Sequence, residues 1–142
     1  MFNEHQHRSL SVTLRTIEQH LRAIEQMLGT DDYTGVLCEW RNDVPPSQRD
    51  ELSAKISLIL DRIHTIAEQF SLDKAEKRAR QHLAAELSYC WEVLQDAKAK
   101  RLRRYGGVDE GLENTLDPQI DILLELLREM QSLLHGARNQ DT

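Results

Sequence analysis

The sequence predicts an all-α protein, an antiparallel four-helix bundle, from three observations. Four segments carry apolar side chains at alternating steps of four and three residues, a spacing that places them on one stripe of a helix. The composition is that of a helical, water-soluble protein, with 30% charged and 5% aromatic residues in 142. Glycine or proline stands at several segment ends. The stripes are Leu10-Leu14-Ile17-Leu21-Ile24-Leu28, Leu52-Ile56-Ile59-Ile63-Ile66-Phe70, Leu83-Leu87-Cys90-Leu94-Ala97-Arg101 and Leu116-Ile120-Leu123-Leu127-Met130-Leu134.

Each stripe can be labelled as a heptad repeat in which positions d and a alternate. With Leu21, Ile63, Leu87 and Leu127 at position a, every stripe begins at d, and only the third is imperfect because it ends in Arg101. The length fits a single helical-bundle domain over 1–142, which is large enough to bury a stabilising core without disulfide bonds or bound metal ions. We expect the two ends, 1–7 and 137–142, to be frayed.

Helix 1 is predicted from Arg8 to Leu28, with Gly29 as its terminator. A long, partly apolar loop over 30–46 then connects helices 1 and 2. It contains Trp40 and four other large apolar or aromatic side chains, so we expect it to fold over one end or face of the bundle, either as a lid or as a binding surface.

Helix 2 is predicted to begin after two prolines, with Ser47 as its N-cap, and to end near Phe70. Asp73 and Glu76 have the spacing of a capping box, which predicts helix 3 from Asp73 to Tyr105, where two glycines stop it. The connection between helices 2 and 3 would then be two or three residues long, which favours an antiparallel hairpin.

Helix 4 is predicted to begin at Asp117, because an aspartate followed by proline is typical of an N-cap and a first helical residue. It would continue to about His135, with Gly136 as its stop, and a short helical turn could precede it over 108–116.

The charge is uneven, although the whole chain carries a net charge of −6. Helix 3 is basic and helix 4 is acidic, so the simplest interpretation is that the two helices lie side by side and that their opposite charges offset each other. Cys38 and Cys90 form no CxxC motif, the N-terminus has no apolar core of a signal peptide, and no apolar run could span a membrane. We therefore expect a cytoplasmic protein that does not enter a membrane.

Metal binding and catalysis are not expected, and the sequence predicts no cofactor. The heptad labels place the histidines within the predicted helices on outward positions of different flanks, where they do not converge as in di-metal bundles. Cys90 falls at a core position, where a thiol is usually inert. A metal- or ligand-dependent enzyme remains the third hypothesis, and its candidate residues are His20, His64, His82 and Glu86.

The strongest local charge feature is a basic cluster near the end of helix 3, which comprises Lys98, Lys100, Arg101, Arg103 and Arg104. Binding of nucleic acid or another polyanion through it is the alternative function. The helix dipole and pairing with downstream carboxylates offer a simpler account, so nucleic acid is not the expected partner. Trp91 and Tyr105 lie two heptads apart on one stripe with Lys98. Such a stripe is usually the edge of a core with a lysine that reaches solvent, and the alternative is an aromatic contact surface for a partner.

Helix 4 carries more apolar side chains than one bundle core needs. The surplus residues at positions c, e and g are Ile122, Leu124, Leu126 and Leu133. Such excess width is typical of a dimer interface. The leading hypothesis is a non-enzymatic, homodimeric protein–protein interaction or regulatory module with an unknown protein partner. Its candidate contact residues are Trp40, Trp91, the basic cluster, Tyr105, Leu126 and Leu133.

Overall fold

The computed structural model describes residues 2–140, and the side chains of residues 2–136. The predicted all-α class is confirmed, because helices make up 73% of the described residues and the sheet found among them has two strands of two residues each. The chain divides into two compact units, Met1–Ala75 and Glu76–Thr142. The single domain over 1–142 stays a prediction.

The first unit opens with α1, which spans Glu4–Leu28 and so begins four residues before the predicted Arg8. The reason is a capping box at Asn3. Its side-chain oxygen accepts from the Gln6 amide at 2.8 Å, and the Gln6 side chain accepts from the Asn3 amide at 3.0 Å. Residues 4–7 therefore belong to the helix, residue 1 lies outside the described part, and the expected fraying stays a prediction.

The beginning of α1 contacts the end of the second helix of this unit. The second helix, α2, spans Pro46–Gln69, and Phe70 follows as its C-cap. The Phe2 and Phe70 rings lie 4.9 Å apart between centroids, and a ring nitrogen of His7 lies 3.1 Å from the Phe70 carbonyl oxygen. These contacts explain why the first residues are held to the rest of the unit.

The predicted N-cap of α2, Ser47, is wrong by two positions. The helix begins at Pro46, with Pro45 as a cap that makes no side-chain hydrogen bond. The fixed backbone angle of a proline suits the first helical position, so the helix starts without help from the serine.

The connection between α1 and α2 contains a small β-hairpin. β1, Tyr33–Thr34, pairs antiparallel with β2, Glu39–Trp40. Its turn is tight at Gly35, where a Cβ atom would lie 3.0 Å from the Cys38 carbonyl oxygen. The tip residues Val36 and Leu37 are 99% and 95% exposed, so the tip of this segment does not act as a lid over other described residues.

α2 ends near Phe70 as predicted, but the connection that follows differs from the prediction because the chain turns sharply there. The Leu72 amide donates to the Ala67 carbonyl at 2.9 Å and the Ser71 amide to the Glu68 carbonyl at 3.3 Å, with Ser71 in the left-handed region at φ 53°. This is a Schellman motif. The residues that follow, 73–78, are not helical, so the predicted start at Asp73 is wrong.

In the second unit, the predicted helix 3 is broken into three pieces. They are α3, Ala79–Gln95, a short α4, Ala99–Leu102, and a 3₁₀ turn over Arg103–Tyr105. In an unbroken helix the Ala99 amide would donate to the Gln95 carbonyl. It donates instead to the Asp117 carboxylate, at 2.9 Å, and Lys98 before it has an extended backbone.

The last helix, α5, spans Leu112–Gln140 and begins five residues before the predicted Asp117. Asp117 does not cap its own helix, because its carboxylate accepts from Ala99, and Pro118 lies inside α5. Within the described residues α5 also continues past Gly136, the predicted stop. The expected fraying of 137–142 falls on residues whose side chains, or whose whole structure, lie outside the described part.

The best-covered side chains belong to elements that pack together within each unit. In the first unit α1 packs against α2, and Ile56 is buried. In the second unit α5 packs against α3 and α4, and Ala99, Ile120 and Leu124 are buried. Among the described side chains no charged or polar residue is buried.

Candidate interaction surfaces

The surplus apolar side chains of α5 separate into two groups. Leu124 is only 6% exposed, so it belongs to the buried side chains of the second unit. Leu126, Leu133 and Ile122 are exposed, the first two by 51% and 73%. We call these three residues the α5 surface. Two of them, Leu126 and Leu133, are the partner-binding residues that the sequence predicts on this helix.

The heptad labels divide the four long helices in a regular way. Every position a of the four stripes except Arg101 is buried or half-buried. In each helix, by contrast, two side chains at position d are exposed. These pairs are Ile17 and Ile24, Leu52 and Ile59, Leu83 and Cys90, and Leu123 and Met130. Each helix therefore covers the a positions of its apolar stripe, apart from Arg101, and exposes two of its three d positions.

The covered face of α3 is rotated from the predicted one. Cys90 is exposed, so its assignment to the core is wrong, and Trp91 beside it is half-buried. Ala84, Leu87, Trp91 and Leu94 are all half-buried and follow the same three-four spacing. The larger side chain of Trp91 gains more from burial than a thiol does, which favours this rotation.

The predicted aromatic stripe is not continuous. Trp91 lies on α3, whereas Tyr105 ends the 3₁₀ turn beyond the helix break, and its side chain is 82% exposed. Trp40 is half-buried, and its indole N–H donates to the Thr30 carbonyl at 3.1 Å. Of these three aromatic residues, Tyr105 offers the most accessible ring.

The basic cluster, with Tyr105, forms a segment over 98–105 that we call the basic segment. Lys98 Nζ lies 2.9 Å from an oxygen of Asp121, and an Arg104 nitrogen lies 3.4 Å from an oxygen of Asp96. The hydrogen bond to Asp121 holds the pKa of Lys98 above its ordinary value, with a further contribution from the charge of Asp117.

The carboxylates that pair with the basic segment are not those that follow it directly. Sequence reasoning considered the acidic residues over 109–117 and missed Asp121 and Asp96. A signal was present for Asp121, because it stands one helical turn after Asp117 and therefore lies on the same face of α5.

The histidines show no metal site in the part of the chain whose residues are described, since no group of three or more metal-ligating side chains occurs there. His64 Nε2 lies 3.2 Å from a Glu68 oxygen, and both side chains are about 70% exposed. His64 also lines an open cleft of about 330 Å³ in the first unit. In the second unit, His82 and Glu86 are exposed, as His20 is in the first. Among the described side chains, none of these candidate acid–base residues is buried.

None of the helices over the described residues has the length and apolar character needed to cross a membrane. Comparison with known proteins found no matching family model, no similar curated protein and no similar solved structure.

Proposed function

We propose that this chain is a non-enzymatic, cytoplasmic protein–protein interaction or regulatory module that works as a homodimer through its last helix. The observation that carries the proposal is the α5 surface. Ile120 and Leu124 are already buried within the second unit, so Leu126 and Leu133 are not needed for that packing. Both cysteines are exposed and unpaired, which supports a reducing compartment.

The α5 surface leaves three large apolar side chains exposed. Ile122, Leu126 and Leu133 are 62%, 51% and 73% exposed, and such contiguous apolar surface is typical of an interaction site. A contact between the α5 surfaces of two copies would remove these side chains from water, which favours association through α5.

The proposal includes the finer fold, an antiparallel four-helix bundle. In the first unit the beginning of α1 contacts the residue after α2, through His7 and Phe70. In the second unit the residues just after α3 contact the early part of α5, through Lys98 and Asp121. These contacts support an antiparallel arrangement within each pair.

The exposed d positions support the same fold. Viewed along each helix from its first residue, the d positions are rotated to the same side of the covered a positions. When two such helices pack antiparallel, the d positions of both therefore lie on the same face of the pair. A pair of helices with one such apolar face is half of a four-helix bundle. The proposed module thus has one face for closing the bundle and, on α5, further apolar width for a partner.

The test is the mass of the protein in solution, measured by light scattering after size-exclusion chromatography. The wild-type chain should be a dimer, and Leu126→Glu and Leu133→Glu should each give a folded monomer. Leu37→Glu is the matched control, because it places the same charge on an exposed leucine far from α5 in sequence and should leave the dimer intact. A monomeric wild-type protein, or a dimer that both α5 variants preserve, would contradict the proposal.

A further inference from the structure

The basic segment carries more positive charge than its neighbours neutralise. Lys98 and Arg104 pair with carboxylates, but Lys100, Arg101 and Arg103 have no carboxylate within ion-pair distance among the described side chains. The acidic residues that follow directly in the sequence, at 109, 110 and 113, form no ion pair with them. Ion pairs among the described side chains therefore neutralise two of the five cations and leave three without a carboxylate partner.

The backbone of this segment is held at both ends, so its cations are presented by an ordered element. At the start, Ala99 is 1% exposed and its amide donates to Asp117. At the end, the Gly106 amide donates to the Arg103 carbonyl at 3.4 Å, and Gly106 has φ 145°, a conformation that favours glycine. A ligand would therefore meet an ordered backbone, which lowers the entropic cost of binding.

The cations surround a recess. Lys98, Lys100, Arg101 and Arg104 line it together with the amide side chain of Gln95, and its volume is about 430 Å³. Two of the four lining cations, Lys100 and Arg101, have no ion-pair partner among the described side chains, so the recess suits a ligand with negative charges. Phosphate groups are well matched, because arginine can donate two parallel hydrogen bonds to them.

An exposed aromatic ring distinguishes between classes of polyanion. Tyr105 adjoins the cations, and the Arg104 guanidinium carbon lies 6.0 Å from its ring centroid. A ring in this setting can stack on a nucleobase, which is the combination that single-strand binding proteins use. A lipid headgroup has no flat base to stack on the ring, and neither does a run of acidic side chains.

From these contacts we infer that the basic segment is a binding site for single-stranded nucleic acid. Lys100, Arg101 and Arg103 contact backbone phosphates, and Tyr105 stacks on a base. A single strand is favoured over a duplex because the faces of paired bases are already stacked. This function is separate from the proposed dimer contact on α5 and does not depend on it.

The test is fluorescence anisotropy of the full chain with labelled twelve-residue oligouridine and oligothymidine at several salt concentrations. Three phosphate contacts on a single strand predict a slope of about −2 for log K against log salt, so affinity should fall about 20-fold between 50 and 200 mM salt. Preferential binding of either oligonucleotide supports the inference and identifies RNA or DNA as the ligand.

Two kinds of variant separate charge from stacking. Lys100→Gln and Arg103→Gln should each weaken binding and reduce the salt slope by about 0.7. Tyr105→Ala should weaken binding about 5- to 100-fold without changing the slope, and Tyr105→Phe should restore it. Lys77→Gln is the matched control, because it removes a cation outside the basic segment, and it should bind as the wild type does.

Several results would overturn the inference. They are no binding of either oligonucleotide at 50 mM salt, equal binding of the corresponding duplex, and unchanged affinity in the Lys100 and Tyr105 variants. Equally tight binding of polyglutamate or of phosphatidylserine vesicles would also overturn it, since the site would then recognise negative charge alone.

Discussion

The contact between Asp117 and the Ala99 amide should be a main determinant of stability in the second unit. The hydrogen bond is 2.9 Å long, its acceptor is a half-buried carboxylate, and its donor belongs to a residue that is 1% exposed. Asp117→Ala would leave that buried amide without its partner. Loss of a helix cap costs about 0.5–2 kcal/mol, and loss of a charged acceptor falls near the upper end. We therefore expect a loss of about 1–2 kcal/mol.

Urea denaturation followed by circular dichroism at 222 nm measures this loss as a lower midpoint. Asp117→Asn keeps an oxygen acceptor without the charge, so it should lose about half as much free energy of unfolding. Asp109→Ala is the matched control, since it removes an exposed carboxylate from the same unit and should change stability little. If Asp117→Ala and the control have the same midpoint, the carboxylate does not stabilise the start of α4 and the explanation for the helix break is wrong.

Three further predictions concern other parts of the chain. Replacing Val36 and Leu37 by serine should change the free energy of unfolding by less than about 0.5 kcal/mol in urea denaturation, because both side chains are almost fully exposed. Ser71→Gly should stabilise the protein by about 0.5–1 kcal/mol, since Ser71 occupies the left-handed region; an unchanged or lower thermal midpoint would contradict this. The raised pKa of Lys98 means that its pairing with Asp121 stabilises the folded protein fully below the ordinary pKa of 10.5. This stabilisation is lost as the pH rises through the higher pKa of the folded state. The unfolding midpoint of Lys98→Met should therefore not show that loss at alkaline pH.

The sequence was sufficient for the features that depend on local pattern. The apolar stripes identified the helical segments, and Gly29 and Phe70 lie at the ends of α1 and α2 as expected. These positions follow from side-chain periodicity and from residues that stop helices, both of which act within a few residues. The β-hairpin escaped notice because strands of two residues are too short to show alternation.

The wrong prediction of one continuous helix 3 depends on a contact distant in sequence. The break before α4 requires Asp117, which stands 18 residues after the amide that it accepts from. Read locally, the same aspartate and the proline after it have the pattern of a helix start, which led to the wrong beginning for α5. The early start of α1 is different, because its capping box at Asn3 is local and could have been recognised from Asn3 and Gln6.

The candidate surfaces were predicted in part, and the reason lies in the helix period. Residues one step apart differ by about 100° around a helix, so Leu83 and Ala84, or Cys90 and Trp91, define two stripes with the same spacing. Periodicity cannot choose between them, whereas the volume of Trp91 can, because leaving it exposed would sacrifice more apolar burial than exposing Cys90 does. On α5 two neighbouring stripes are both strongly apolar. One stripe is buried by packing within the second unit. The other stripe, which includes Leu126 and Leu133, must then be covered from outside this unit.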